Sequence, residues 1–198
     1  MKITKQEILD TALDVFAEKG YDSTILKNIS DRLNVTKSAL YKHYESKEAL
    51  WDALINHVEQ YYRENFGNTE SIVIPGSMDE LTELTLRQLQ FTMHDETVRK
   101  VRKLLTMEQF RNERVKALAE KYFHSNIVSI YTTILRGMAE KDLIKIGNPE
   151  LVAIEYTAPI SVILQAYDRA PDRESEIHHK IQEHIHFFIS VLQREDED

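Results

Sequence analysis

Apolar and polar residues alternate with the period of an α-helix along nearly the whole chain, and strand-like alternation does not extend convincingly beyond a few residues. A capping-box pattern, Thr4 followed by Glu7, predicts the start of the first helix, and Gly20 is placed to end it. The apolar face of this helix consists of Ile8, Leu9, Ala12, Leu13, Phe16 and Ala17. The pattern therefore predicts an all-α chain that begins with an amphipathic helix.

Three further helices are predicted before residue 67. Thr24 can cap a short second helix, Asn34 suits a tight turn because asparagine tolerates the left-handed region, and Thr36 can cap a third helix of about two turns. Ser46 can cap a fourth helix that runs to about Phe66. The positions of the second helix predicted to face inward are Ile25, Leu26, Ile29 and Leu33.

The remainder of the chain is also predicted to be helical. Residues 67–77 contain two glycines and a proline and are interpreted as a connecting loop. Ser77 with Glu80, and Asn148 with Pro149, are patterns typical of helix starts. The predicted helices cover residues 78–94, 96–110, 112–141, 149–170 and 173–193.

Composition excludes several classes of protein. Apolar residues make up 42% and charged residues 29% of the 198 positions, which is ordinary for a soluble globular protein. The chain has no cysteine, so disulfides, thiol catalysis and cysteine-based zinc sites are excluded. No run approaches the roughly 18–20 apolar residues that cross a bilayer, and the N-terminal segment lacks the continuous apolar core of a secretory signal. We therefore expect a cytoplasmic protein without a membrane partner.

The distribution of charge matters more than the net charge of −8. Residues 1–50 carry eight Lys or Arg and eight Asp or Glu, so the rest of the chain carries 17 basic and 25 acidic residues. Residues 32–47 contain four basic residues and only one acidic residue, Glu45. The basic residues are Arg32, Lys37, Lys42 and Lys47. Positive charge is thus concentrated in one short segment, as in proteins that bind nucleic acids.

Residues 24–44 have the pattern of a helix-turn-helix, a motif whose second helix can enter the DNA major groove. If Leu40 faces inward, the outward or flanking positions are Lys37, Ser38, Tyr41 and Lys42. Short polar side chains near the helix start suit contact with base edges, whereas Lys47 and the hydroxyls of Tyr41 and Tyr44 are placed to reach phosphates. The geometry alone also allows a three-helix packing motif with a solvated basic face.

The run from residue 8 to residue 54, ILDTALDVFAEKGYDST…IS…LNVTKSALYKHYESKEALWDAL, closely resembles the N-terminal domain of TetR-family regulators. The resemblance implies base-edge contacts from Lys37, Ser38 and Ala39. It implies contacts to the DNA backbone from Thr24, Thr36, Tyr41, His43 and Lys47. Three positions depart from the family pattern: Asn34 replaces the usual Gly, Ser30 the usual Ala, and Ile25 a frequent Thr or Ser. One phosphate contact is therefore expected to be missing at Ile25.

The resemblance divides the chain into a helix-turn-helix DNA-binding domain over residues 1–47 and a helical ligand-binding and dimerisation domain over residues 48–198. In the family, the last two long helices form the dimer. A stripe on the last helix is too broad for one neighbour inside a single chain, and small residues on the preceding helix allow close approach. The predicted interface consists of Ala158, Ser161, Ile177, Ile181, Ile185, Phe188 and Leu192. A thick monomer core is the alternative.

A small-molecule effector would bind between helices of the second domain, among apolar and aromatic side chains. The candidate pocket residues are Tyr62, Phe91, Met93, Met107, Phe110, Tyr122, Tyr131 and Tyr156. Large apolar residues at helical spacing are also the ordinary content of a core, so each of these side chains has a purely structural interpretation. The effector is not identified by the sequence.

His179, Glu183 and His186 have a spacing that places three metal-ligand types on one helix face. That face lies opposite the apolar stripe, so we expect surface histidines, no metal site and no cofactor. The chain also lacks a glycine-rich phosphate loop, an HExxH motif and a GxSxG motif, so we expect no enzymatic activity. The sequence predicts a homodimeric repressor that a small molecule releases from a palindromic double-stranded DNA operator. The alternative is a DNA-binding activator or nucleoid-associated protein controlled by a protein partner.

Overall fold

A computed structural model describes residues 3–66 and 72–194, and over these residues the chain consists of helices and connecting turns. The α-helices are α1 (Lys5–Lys19), α2 (Leu26–Arg32), α3 (Lys37–Tyr41), α4 (Lys47–Phe66), α5 (Met78–His94), α6 (Glu96–Glu108), α7 (Glu113–Glu120), α8 (Asn126–Glu140), α9 (Pro149–Arg169) and α10 (Glu174–Arg194). The predicted all-α fold is confirmed. Residues 67–71 of the predicted loop lie outside the described part of the chain.

The predicted capping box at the start of α1 is confirmed. The Thr4 hydroxyl accepts the Glu7 N–H at 3.2 Å, and the Glu7 carboxylate accepts the Thr4 N–H at 2.8 Å. These two bonds satisfy backbone donors that have no partner inside the helix. At the other end, Gly20 has a φ of 79° and its N–H bonds to the Phe16 carbonyl at 2.8 Å. The local sequence therefore determines both ends of α1.

The predicted start of α2 at Thr24 is wrong. The N-terminal cap is Ile25, whose N–H bonds to the side-chain oxygen of Asn28 at 2.9 Å. The buried Thr24 hydroxyl instead donates to the Gly20 carbonyl at 2.7 Å. Ile25 is 57% exposed and does not face inward, whereas Leu26 and Ile29 are buried as predicted.

The helix predicted over residues 112–141 contains an irregular turn. The segment Lys121–Ser125 between α7 and α8 is a π-helical turn, in which the Asn126 N–H reaches the Lys121 carbonyl five residues back. Such turns interrupt the regular α-helical hydrogen bonding, and no feature of the apolar pattern predicted this one. Helix α8 ends at Glu140, close to the predicted end at residue 141, and Asp142 just after it has a positive φ of 56°.

The described residues form two compact units. The first contains residues 3–66 and 96–119, and the second contains residues 72–95 and 120–194. Buried side chains of the first unit include Ile8, Phe16, Ile29, Leu40, Leu50 and Leu54. Those of the second include Leu81, Met93, Leu135, Tyr156, Ile181 and Ile185. The functional boundary predicted between residues 47 and 48 stays a prediction, although the first unit also contains α6 and most of α7.

The apolar stripe of α10 lies inside the second unit. Its members, predicted to form a dimer interface, are all buried in the core of the single chain: Ile177, Ile181, Ile185, Phe188 and Leu192. One chain covers the stripe because α9 packs against α10, and residues of α5 and α8 belong to the same core. The large apolar residues left exposed on these two helices are Leu151, Val162, Phe187 and Val191.

Candidate DNA-binding surface

The short helix α3 is held in place by its cap and by one buried side chain. The Thr36 hydroxyl accepts the Ala39 N–H at 3.2 Å, which confirms the predicted cap. Leu40 is fully buried, as is Ile29 of α2. The turn before α3 contains Asn34 with a φ of 53°, as predicted. A helix of five residues has little stability of its own, so these contacts determine its orientation.

The side of α3 opposite Leu40 is open to solvent. Thr36, Lys37, Ser38 and Lys42 are exposed, and Tyr41 is 43% exposed. The Lys37 ammonium lies 5.5 Å from the centre of the Tyr41 ring, one helical turn away, so the two side chains support each other on the surface. Ala39 and His43 are half-buried at the edges of this face. The structure thus brings most of the predicted base-reading and phosphate-binding residues onto one exposed face.

A shallow depression of about 340 Å³ lies beside α3. Its lining includes three lysines and two carboxylates: Lys27, Lys37, Lys47, Glu45 and Glu48. Ile25 and Tyr41 add apolar surface to the same depression. Lys27 was not singled out from the sequence. Its position in the first turn of α2 could have indicated this place. The two helices of a helix-turn-helix pack closely, which puts that turn near the recognition helix.

Two of the predicted contact residues are not on the exposed face of α3. Thr24 is fully buried and its hydroxyl is bonded within the chain. Tyr44 is only 8% exposed, and burial raises the pKa of its hydroxyl. Both side chains are buried, so neither is available for contact in this structure.

Lys47, the first residue of α4, has a defined place. Its ammonium donates to the Tyr21 carbonyl at 3.1 Å and lies 4.2 Å from the centre of the Tyr21 ring. That ring packs edge-on against Trp51 at 4.7 Å. Desolvation and the neighbouring Glu48 carboxylate raise the pKa of Tyr21 to about 12. Tyr21, packed against Trp51, therefore fixes the position of the Lys47 ammonium.

The candidate pocket residues are divided between the two units. Tyr62, Met107 and Phe110 belong to the first, whereas Phe91, Met93, Tyr122, Tyr131 and Tyr156 belong to the second. Phe110 is 89% exposed after the end of α6, which contradicts its assignment to a pocket. The fold brings Tyr131 and Tyr156 together, with ring centres 5.2 Å apart, and Met93 lies in the same core.

The predicted histidine face is exposed. The Nε2 atom of His179 lies 3.5 Å from the Glu183 carboxylate, and both side chains are more than half exposed. Over residues 3–66 and 72–194 no group of three His, Asp or Glu side chains is arranged to hold a metal ion. No helix in that same part of the chain is long and apolar enough to span a membrane.

Residues 8–54, which contain α1 to α3 and the start of α4, match the family model described as bacterial regulatory proteins, tetR family. Through this segment the chain is similar to tetR-family regulators. The biofilm operon icaADBC HTH-type negative transcriptional regulator IcaR of Staphylococcus epidermidis is 40% identical over 58 residues. That match covers 29% of this chain and 31% of the relative. The chain therefore matches less than a third of the length of this relative.

Solved structures extend the likeness in fold to nearly the whole chain. SmeT, the repressor of the Stenotrophomonas maltophilia multidrug efflux pump SmeDEF, has a TM-score of 0.67 at 19% identity. The match covers 96% of this chain and 90% of SmeT. A SmeT–triclosan complex has a TM-score of 0.70 at 17% identity, covering 94% and 90% of the two chains. The chain therefore shares with these structures a fold in which an N-terminal helix-turn-helix domain is followed by a C-terminal helical domain. Regulators of this family are typically transcription factors rather than enzymes.

Proposed function

We propose that this chain is a homodimeric transcriptional repressor, without enzymatic activity, that acts in the cytoplasm. It binds a palindromic operator through α3 and is released by a small-molecule effector. The observation that carries the proposal is the exposed face of α3, with Lys37, Ser38 and Lys42 directed away from the buried Leu40, in a segment that matches the tetR-family model. The repressor functions of IcaR and SmeT support the direction of regulation.

The contacts proposed for α3 follow from side-chain length and charge. Ser38 and Ala39, near the helix start, are short enough to let the helix approach base edges, and Lys37 can reach a guanine. Thr36, Tyr41, Lys42, His43 and Lys47 surround this centre and would contact the DNA backbone. Lys27, from the depression beside α3, joins the backbone-contacting group.

Dimerisation is proposed through the outer faces of α9 and α10. Leu151, Ala158 and Val162 recur on one face of α9, and Phe187 and Val191 are one turn apart on α10. All five are exposed in the single chain, and Val162 and Phe187 are about two-thirds exposed. Ser161 is half-buried beside them and allows close approach. A two-fold interface of this kind pairs two α3 helices and favours an operator with inverted symmetry.

The effector is proposed to bind in the second unit, whose core contains Met93, Tyr131 and Tyr156. These side chains favour an apolar or aromatic ligand that also makes hydrogen bonds. To lower DNA affinity, the effector must bind more tightly to the protein free of DNA than to the operator complex. The triclosan complex of SmeT supports an aromatic small molecule as the first class to test.

The DNA-binding part of the proposal is tested by footprinting the purified chain on DNA upstream of its own gene. We expect a protected site with inverted symmetry. Lys37→Ala and Lys42→Ala should weaken binding, and Lys116→Ala, an exposed lysine of α7, is the matched control that should not. Equal losses from all three variants would mean that α3 has no special role and would contradict the proposal.

The effector part is tested on the same complex by adding a panel of small aromatic and acyl compounds that includes triclosan. Release of the DNA by a member of the panel, with a matching drop in affinity by titration, is the expected result. A complex that resists every compound but changes when a protein fraction is added would favour control by a protein partner instead.

A further inference from the structure

Glu108, the last residue of α6, is a buried carboxylate with a backbone partner far away in the sequence. The side chain is 3% exposed, and its Oε1 accepts the Tyr21 N–H at 2.9 Å across a separation of 87 residues. A hydrogen bond to a charged acceptor is stronger than one between neutral groups. The bond therefore ties the end of α6 to the turn that follows α1.

Gly20 makes room for this carboxylate. Its φ of 79° already favours glycine, and a Cβ built on it would lie 2.9 Å from Glu108 Oε1. Any side chain at Gly20 would therefore push the carboxylate away from the Tyr21 N–H. Helix-ending glycines usually need only the backbone conformation, whereas this one also serves a close approach.

The carbonyl and the ring of Tyr21 contact Lys47 of the proposed DNA-binding surface. Its carbonyl accepts from the Lys47 ammonium at 3.1 Å, and its ring lies under the same ammonium at 4.2 Å. The N–H of Tyr21 is thus held by α6, and its carbonyl and ring are held by the first residue of α4. Lys100 of α6 also pairs with Asp14 of α1, so the anchoring of α6 does not depend on Glu108 alone.

We propose that Glu108 is a positioning residue for the DNA-binding surface: by holding Tyr21, it places the Lys47 ammonium where it neutralises a phosphate. The inference rests on the proposed function, because it requires Lys47 to contact DNA. Without Glu108 the Tyr21 N–H loses its bond to α6, so the backbone carbonyl that accepts from Lys47 is held less firmly.

The sign of the effect separates positioning from simple electrostatics. Glu108→Ala removes a negative charge, so charge alone predicts tighter DNA binding for the variant. Positioning predicts weaker binding and a shallower dependence on salt, because one phosphate contact per chain is lost. Each contact contributes about 0.9 to the slope of log K against log salt, which is about 1.8 for a dimer.

The experiment measures operator affinity between 50 and 200 mM salt for wild type, Lys47→Ala, Glu108→Ala and the double variant. We expect each single variant to lower the slope by about 1.8 and the double variant to lower it no further than Lys47→Ala alone. Glu108→Gln keeps an acceptor oxygen and should restore most of the slope. Glu113→Gln, an exposed carboxylate of α7, is the matched control and should leave the slope unchanged.

Glu108→Asp provides a second variant that keeps the charge but shortens the reach by one methylene, so it replaces Glu108→Ala if that protein does not fold. An unchanged slope in the folded Glu108 variants, or losses that add fully to that of Lys47→Ala, would overturn the inference while leaving the proposed function intact. A slope that Lys47→Ala does not change would instead remove Lys47 from the DNA-binding surface and overturn both this inference and that part of the proposed function.

Discussion

The hydroxyl group of Thr85 is the hub of a buried hydrogen-bond network in the second unit. It donates to the Leu81 carbonyl at 2.9 Å, and it lies 3.1 Å from the Tyr131 hydroxyl and 2.8 Å from the Tyr156 hydroxyl. Since its single hydrogen is used for Leu81, both tyrosines must donate to its two lone pairs. Thr85 and Tyr156 are at most 1% exposed, and burial raises the pKa of both tyrosine hydroxyls.

The substitution Thr85→Val keeps the shape of the side chain but removes the acceptor. Two buried phenol donors then lack their partner, and each unsatisfied donor costs about 1–3 kcal/mol. The expected loss in the free energy of unfolding is therefore about 2–6 kcal/mol, a large share of the roughly 5–15 kcal/mol of a typical domain. With a slope of about 2 kcal/mol per molar urea, the unfolding midpoint falls by about 1–3 M.

The assay is urea unfolding followed by circular dichroism at a fixed protein concentration, because association of folded chains raises the apparent stability. Thr157→Val is the matched control: Thr157 is also buried, and its hydroxyl donates at 2.8 Å to Ala153 one turn back in its own helix. It should cost about 1 kcal/mol or less, since its loss leaves no tyrosine donor unpaired.

The triple variant Thr85→Val with Tyr131→Phe and Tyr156→Phe completes the test. Replacing both partners of a buried hydrogen bond by apolar groups is nearly neutral, so this protein should recover most of the stability lost by Thr85→Val alone. If Thr85→Val proves no worse than Thr157→Val, or if the triple variant recovers nothing, the assignment of Thr85 as a shared acceptor is refuted.

Three further predictions concern other parts of the chain. Thr36→Ala should cost about 1 kcal/mol in urea unfolding, because it removes the α3 cap, whereas Thr36→Ser keeps the oxygen; equal losses would refute the role of the hydroxyl. Between pH 10 and 12 the urea midpoint of wild type should fall more than that of Tyr21→Phe. The pKa of Tyr21 is about 12 in the folded chain and 10.0 in the free side chain, so the stability that its neutral form contributes is present below pH 10 and is lost towards pH 12. A constant difference in urea midpoint over this range would contradict that shift. Phe187→Asp should convert the proposed dimer to a monomer in light scattering, whereas Phe110→Asp, at another exposed phenylalanine, should not; a dimer that survives Phe187→Asp would exclude the outer face of α10.

Features that depend only on neighbouring residues could be predicted from the sequence. The caps at Thr4, Thr36, Ser46 and Asn148 each form the expected bond, because a hydroxyl or amide oxygen needs only the next turn of its own helix. The predicted cap of α2 at Thr24 was wrong for a related reason. Its hydroxyl had two local choices, and it bonds back to Gly20 rather than forward into α2.

Predictions that depend on the rest of the fold were less reliable. A helical wheel shows that Ile181 and Phe188 share a face, but it does not show how many neighbours the same chain supplies. The π-helical turn at residues 121–125 and the burial of Glu108 against Tyr21 also depend on contacts between distant segments. In the candidate site, the exposed face of α3 could be predicted, whereas the inward turn of Tyr44 and the exposure of Ile25 could not.

The one tryptophan of the chain, Trp51, is buried beside Phe16 and Tyr21 and belongs to the first unit. Emission excited at 295 nm therefore monitors melting of that unit alone, while ellipticity at 222 nm follows helices in both. If the two signals give the same midpoint in urea, the chain melts as one cooperative entity; separate midpoints would give each unit its own stability. A single native chromophore thus provides a label-free way to measure the coupling on which regulation at a distance depends.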